Sequence, residues 1–242
     1  MIASAARNAA PGFDLPPSFA WVAPPAGTPV HAFACEIAPR LGAGTLTSRI
    51  GPGHVELAVV LEPEEPLRLA RRAVLTCMAA LADAVGACAP PEKPVTLIYP
   101  DAIAFDGARL GGGRLAWPSG CREDEVPDWL VFSAMLIASK SHAGDPGLTP
   151  DSTALDEEGF EPGAPDAILE AFARYLLLGF DAVRDRGLAA WSDRYRRWLP
   201  DGRTTRIDAD GNLLPASGSR LELGPALAHL SWFDPQTGAP RL

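Results

Sequence analysis

Hydrophobic positions along this chain fall into runs with two different periods, and the periods mark its elements. Leu67, Leu69, Val74, Leu75, Met78, Leu81 and Val85 recur at helical spacing, leaving Arg68, Arg71 and Arg72 for solvent. Val55 to Leu61 reads as a strand, bounded by Gly51-Pro52-Gly53 before it and Pro63 after it. Residues 95–99 and 103–117 read as the two strands of a hairpin. Trp129 to Ser139 has no polar alternation and suits a central strand covered on both faces. A helix is expected from Pro165 to Arg186, with Ile168, Phe172, Tyr175, Leu176 and Phe180 on its apolar face. Gly187 stops it, and a further helix over Leu188 to Trp198 exposes Arg194, Arg196 and Arg197. His31 to Leu41 is expected to be a short helix ended by Pro39.

Between these elements, 145–165 is rich in Gly, Pro, Asp and Glu and reads as a surface loop. Phe13 to Gly27 is proline-rich and is expected to wrap the core irregularly, anchored by Phe19, Trp21 and Val22. The Ala/Pro/Gly-rich start reads as a poorly ordered arm. Beyond Pro200, residues 204–207, an Asp210-Gly211 turn and Leu213-Leu214 predict a small hairpin, and 221–232 a further element.

At 242 residues the chain can bury one sizeable core, and 47% hydrophobic with 21% charged residues is an ordinary globular composition. A net charge of −9 argues against a nucleic-acid partner, because phosphate binding needs a basic face. No run of 18 apolar residues reads as a membrane span, and the start lacks a signal-peptide pattern, so a cytoplasmic protein is expected. Cys35, Cys77, Cys88 and Cys121 form no C-x-x-C pair, and His31, His54, His142 and His229 are scattered, so zinc spacing is absent and no metal is expected. Reduced cysteines that serve mostly as small hydrophobes fit that compartment.

The most informative stretch runs from Tyr99 to Gly113. Asp106-Gly107 supplies the positive φ angles of a tight hairpin turn. Gly111, Gly112 and Gly113 then remove three successive side chains, which calls either for a ligand against the backbone or for a close packing partner.

Tyr99-Pro100-Asp101-Ala102-Ile103, followed two residues later by Asp106-Gly107, resembles the signature hairpin of the biotin/lipoate protein ligase family, Trp-Pro-Asn-Asp-Ile-x-x-Asp-Gly. Arg109 falls where the family has its catalytic lysine, and Gly111-Gly112 on its small-Gly pair. The resemblance implies an α+β fold over roughly residues 28–240, a mixed β-sheet flanked by helices and closed by a small C-terminal β appendage. The chain would divide into an N-terminal arm (1–27), the ligase-like domain (28–200) and the appendage (201–242). It also implies the chemistry: an acyl-adenylate made from ATP, with Mg, and a biotin- or lipoate-like acid, then transfer to a lysine of an acceptor domain.

That reaction needs fixed positive charge where the substrate carboxylate meets the α-phosphate. Arg109 would supply it and could fork two hydrogen bonds, although arginine and lysine are not interchangeable in a tight site. Residues 45–54 match the family's basic substrate loop only through Arg49, Gly51 and Gly53, with His54 alongside. The substrate-binding set implied is therefore Arg49, Gly51, Gly53, His54, Tyr99, Asp101 and the three glycines. Ser133-Ala134-Met135-Leu136-Ile137 replaces the family's Gly-x-Gly-x-Asn. Acyltransferase relatives use a cysteine nucleophile, for which Cys121, in a loop after Trp117-Pro118-Ser119-Gly120, is the candidate. A second reading is a degenerate member that only binds an acid-bearing ligand or a protein partner.

Overall fold

The computed structural model describes residues 12–144 and 146–242. Seven strands form one mixed sheet: β1 (Ala20–Trp21), β2 (Thr45–Ile50), β3 (His54–Leu61), β4 (Val95–Ile98), β5 (Ala102–Phe105), β6 (Ala108–Ala116) and β7 (Leu130–Ile137). Their order is β1-β2-β3-β7-β6-β5-β4. β1 pairs with β2 in parallel and every other pairing is antiparallel. The helices are α1 (Val30–Leu41), α2 (Leu67–Ala70), α3 (Ala73–Cys88), α4 (Ala164–Arg186), α5 (Leu188–Arg196) and α6 (Leu223–Leu227). Two small hairpins follow the core, β8 (Arg206–Ile207) with β9 (Leu213–Leu214) and β10 (Phe233–Asp234) with β11 (Ala239–Pro240).

Strand alternation sends successive side chains to opposite faces. Leu57, Val59, Phe132, Ala134 and Leu136 meet α3 and α4 in the main core. Ala58, Val60 and Val131 face the other way, against Val30, Ala34 and Ala38 of α1. Helix α1 covers only half of this second face. Over the other half, Ala102 and Met135 pack against Trp232, which lies beyond the last helix and is fully buried. β7 is buried at every position, as a doubly covered central strand should be.

Several elements differ from the sequence reading for local reasons. The hairpin is three strands: the chain turns once at 99–101 and again at Asp106 (φ 51°) and Gly107 (φ 84°). The 67–85 helix is two helices, broken at Arg71–Arg72. Arg72 is not left for solvent but is buried, donating to the carbonyls of Leu69 and Ala209 and pairing with Glu65. Pro39 lies inside α1, whose C-cap is Gly42 at φ 73°. Residues 45–50 are not loop but strand β2, paired along β3. Within the expected surface loop, residues 152–155 are buried, because they hydrogen-bond to Arg109 of β6 and Ile137 of β7 and bring Ala154 and Leu155 to the core.

Candidate functional site

The half of the second face between α1 and Trp232 is where polar side chains interrupt the apolar sheet. Register puts them there. Arg114 of β6 pairs with Ser133 of β7, Ser133 with Ala58 of β3, and Glu56 two residues earlier with Met135. Glu56, Arg114 and Ser133 therefore share one face, and with His31 of α1, Met135 and Trp232 they line a cavity of about 10 Å³.

Glu56 caps the helix from outside. Pro29 precedes α1 and has no side chain able to cap it, and the Val30 N–H donates instead to Glu56 Oε2 at 3.2 Å. Arg49 Nη1 and His54 Nε2 stand 3.7 and 3.8 Å from Glu56 Oε1. At the second position of α1, His31 Nδ1 lies 2.7 Å from Ser133 Oγ, and His31 Nε2 lies 3.9 Å from Cys35 Sγ. Burial, and then the Arg114 charge, lower the His31 pKa to about 4, so the imidazole is neutral at pH 7. Burial raises the Cys35 thiol despite Arg114, which keeps it protonated.

Arg114 is the unusual member. Its Nε donates to Ser133 Oγ at 3.4 Å, and its guanidinium lies over the Phe233 ring at 4.8 Å. Burial lowers its pKa, opposed by Cys35 and Glu56. Among the described residues it has no carboxylate within ion-pair distance; Glu56, on the same cavity, acts on it only from further off, so a half-buried positive charge faces this cavity without a direct partner.

The residues expected from sequence are only partly brought together. Arg49 reaches this group through Glu56 but sits on a strand and donates to Pro25 O at 2.8 Å. Gly51 and Gly53 form the tight β2–β3 turn. The Gly51 N–H is spent on His54 O and Gly53 O accepts from Ala138. His54 and His142 line a second cavity of about 290 Å³ whose other wall is the C-terminal segment, including Asp234 and Arg241. Arg109 Nη1 donates to Arg241 O at 3.3 Å, so Arg109 and the 51–54 turn meet the same segment from two sides. Tyr99 points elsewhere, donating to Gly211 O and meeting Tyr195 edge-on at 6.3 Å. Cys121 lies apart, against Leu67, Ala70 and Leu130. Partial burial and then Glu125, Asp128 and Glu123 raise its thiol pKa, the opposite of what a nucleophile needs.

The glycine run is filled by the protein itself. A Cβ on Gly111 would stand 2.0 Å from Met135 O, on Gly112 2.5 Å from the Trp232 ring, and on Gly113 2.5 Å from Phe132. Of the two readings the sequence left open, close packing is the one these contacts realise. Asp101, 2% exposed, keeps Oδ2 without a partner among the described residues, and burial raises its pKa to about 7. Lys140 is structural: buried, it donates to Ser152 O at 2.6 Å and pairs with Glu157. Among the described residues no group of three or more His, Cys, Asp or Glu could hold a metal ion, and no helix is long and apolar enough to cross a membrane.

Arg114, Glu56 and Trp232 were missed by sequence reasoning. A lone acid in the 55–61 apolar strand and an arginine two residues after Gly112, hence on the same face, were the available signals.

The Biotin/lipoate A/B protein ligase family model matches residues 15–197. The chain belongs to this family. Among solved structures, a biotin protein ligase-like protein of unknown function from Silicibacter sp. TM1040 is 29% identical with a TM-score of 0.77, covering 90% of this chain and 100% of that one. The biotin protein ligase R40G mutant of Aquifex aeolicus, in complex with biotin, is 12% identical with a TM-score of 0.60 over 84% of this chain and 94% of that one. The Leishmania major biotin protein ligase, in complex with biotinyl-5-AMP, is 14% identical with a TM-score of 0.51, covering 86% and 99%. At the latter two identities the likeness is one of fold, and it is the mixed sheet flanked by helices that is shared. No curated protein matches the sequence. The family match ends before β8, so both small C-terminal hairpins lie outside it.

Proposed function

We propose that this ligase-family member binds a biotin-, lipoate- or octanoate-like acid on the sheet face around Arg114 and passes its acyl group to a lysine of an acceptor domain. The observation that carries the reading is the half-buried charge of Arg114, which has no carboxylate within ion-pair distance among the described residues. A guanidinium removed from water is costly without an anion, and a ligand carboxylate supplies one in bidentate geometry. Arg49 and Arg109 lie on the same side of the sheet, so three guanidiniums suit an anionic co-substrate such as ATP.

In the adenylate route the acid's carboxylate attacks the α-phosphorus and pyrophosphate leaves; the lysine amine then attacks the acyl carbon and releases AMP. A thioester route through this chain is less favoured, because Cys35 and Cys121 are both held as thiols. The face lies inside the protein, which suits small acids rather than nucleic acid. The test is calorimetric titration with biotin, lipoate and octanoate, together with ATP–pyrophosphate exchange in the presence of each acid. Exchange dependent on one acid supports the reading; binding without exchange supports the second reading, a binding-only protein. That second reading has one observation in its favour: Arg109, at the family's lysine position, holds the Arg241 carbonyl. No binding of any acid by Arg114-intact protein overturns the ligase reading and the acid-binding form of the second, leaving only its protein-partner form.

A further inference from the structure

The last eleven residues lie across the face just described, and they touch two of the three arginines named in the proposed function, Arg114 and Arg109. Trp232 fills the space over Gly112 and donates its indole N–H to Gly113 O at 3.1 Å. Its ring also contacts the Asp101 carboxyl, which lies beside it with one oxygen unpartnered. Phe233 stacks on Arg114. After the β10–β11 turn, Arg241 O accepts from Arg109. The strap therefore spans from one candidate arginine to the other, and its residues 237–242 wall the cavity that also holds His54 and His142.

Its attachment is slight for a segment in such a place. Of residues 231–242 only Trp232 and Pro240 are buried, and the two strands of its hairpin are two residues each, paired only with one another. The strap thus hangs on two buried side chains, the Trp232 indole and the Pro240 ring. The few hydrogen bonds to the rest of the protein engage groups, the Gly113 carbonyl and the Arg109 guanidinium, that a ligand could equally use. Segments with few buried apolar contacts open locally at a fraction of the global unfolding free energy.

We infer that residues 232–242 are a displaceable internal occupant of the acid-binding face, a gate that holds the site closed until a ligand takes the place of Trp232. The inference rests on the reading of that face given above. Removing the strap would uncover a floor of Gly112, Ala102 and Met135 with two hydrogen-bond acceptors, Gly113 O and Asp101, and with Arg114 and Arg109 at its rims. A ligand whose binding needs that floor is weakened by the fraction of time the gate is open.

The test uses the full chain and two variants, Trp232→Ala and Phe233→Ala, each checked for folding by its melting transition. Amide hydrogen exchange is followed on 232–241 and on β7, and biotin and octanoate are titrated. A gate predicts exchange in 232–241 at least about tenfold faster than in β7 for the wild-type chain, and an affinity for one of the acids raised about tenfold or more in the folded variants. Should Trp232→Ala fail to fold, Phe233→Ala carries the comparison, because Phe233 is only half-buried. Strap amides that exchange no faster than β7 overturn the inference whatever the ligands do. Equal or weaker binding by the variants, with wild type binding, also overturns it, since the strap would then be a permanent wall. Exchange-competent straps in proteins that all ignore both acids overturn the acid-binding reading instead, and the gate with it.

Discussion

Arg114 lies over the ring of Phe233, 4.8 Å from its centroid, partly withdrawn from water and, among the described residues, with no carboxylate within ion-pair distance. An aromatic face offers a cation some electrostatic compensation, on the order of 1 kcal/mol, well short of what a bidentate carboxylate provides. That shortfall leaves the site an appetite for an acid.

Arg114→Gln should therefore weaken binding of the cognate acid by roughly ten- to a hundredfold, the worth of a charge-assisted hydrogen bond of about 1.5–3 kcal/mol. Because the variant also removes a half-buried charge that has no direct ion-pair partner among the described residues, its melting temperature should hold or rise. Calorimetric affinity and thermal melting on the same samples check both halves. Affinity unchanged in Arg114→Gln would remove Arg114 from the site.

Arg109 makes a different prediction, because it is partly exposed and, among the described residues, its side chain holds only the Arg241 carbonyl, at 3.3 Å. Arg109→Ala should change stability by less than about 0.5 kcal/mol. If its charge acts in the transition state, acyl transfer should fall by on the order of a hundredfold. Arg109→Lys restores the compact ammonium of the family motif and should recover or raise that rate. Transfer assays with all three proteins decide it, and equal rates would reduce Arg109 to a latch for the C-terminal segment.

The glycines predict stability effects that a ligand-facing run would not. Gly113→Ala would set a Cβ 2.5 Å from Phe132 and 2.7 Å from Met78 Sδ, inside the main core. Overpacking of that kind costs about 1–3 kcal/mol, and a chain of this length should lose roughly 2–4 °C of melting temperature for each kcal/mol. Gly120→Ala is the control, since nothing lies within 4 Å of its added Cβ. Similar melting temperatures for the two variants would contradict the packing.

What could be read in advance, and what could not, divides along a physical line. The 129–139 run became a strand buried at every position, and 165–186 became α4, because long apolar patterns declare burial whatever their partners. The motif around Tyr99–Gly113 identified the family correctly. The interior break at Arg71–Arg72 was hidden, because an arginine satisfied by one carbonyl a turn away and another 137 residues on looks in sequence like one facing solvent. The site was hidden for a related reason. Arg114 and Ser133 meet only through strand register, and Trp232 reaches Gly112 from 120 residues away in sequence. Pattern within one segment cannot show which segment will cover it.

Two buried titratable groups on this face should give the stability opposite pH slopes. Asp101 has a folded pKa of about 7 against an ordinary value of 3.8, so the folded state holds a proton that the unfolded state releases between those values. Its contribution is full below about pH 4 and is lost as pH rises through about 7, up to roughly 4 kcal/mol for a shift of this size. His31 runs the other way. Its folded pKa is about 4 against 6.5, so the unfolded state binds the extra proton, and its contribution is present above pH 6.5 and lost as pH falls toward 4. The wild-type curve between pH 4 and 7 is the sum of the two and should be shallow. Asp101→Asn keeps a neutral side chain at every pH and removes the falling limb, leaving stability that rises with pH and a melting temperature several degrees above wild type at pH 7.5. His31→Asn removes the rising limb and leaves stability that falls across the same window. Denaturant midpoints at pH 4.5, 5.5, 6.5 and 7.5 for the three proteins measure the slopes. Parallel curves would mean that neither group titrates as its burial on this face requires.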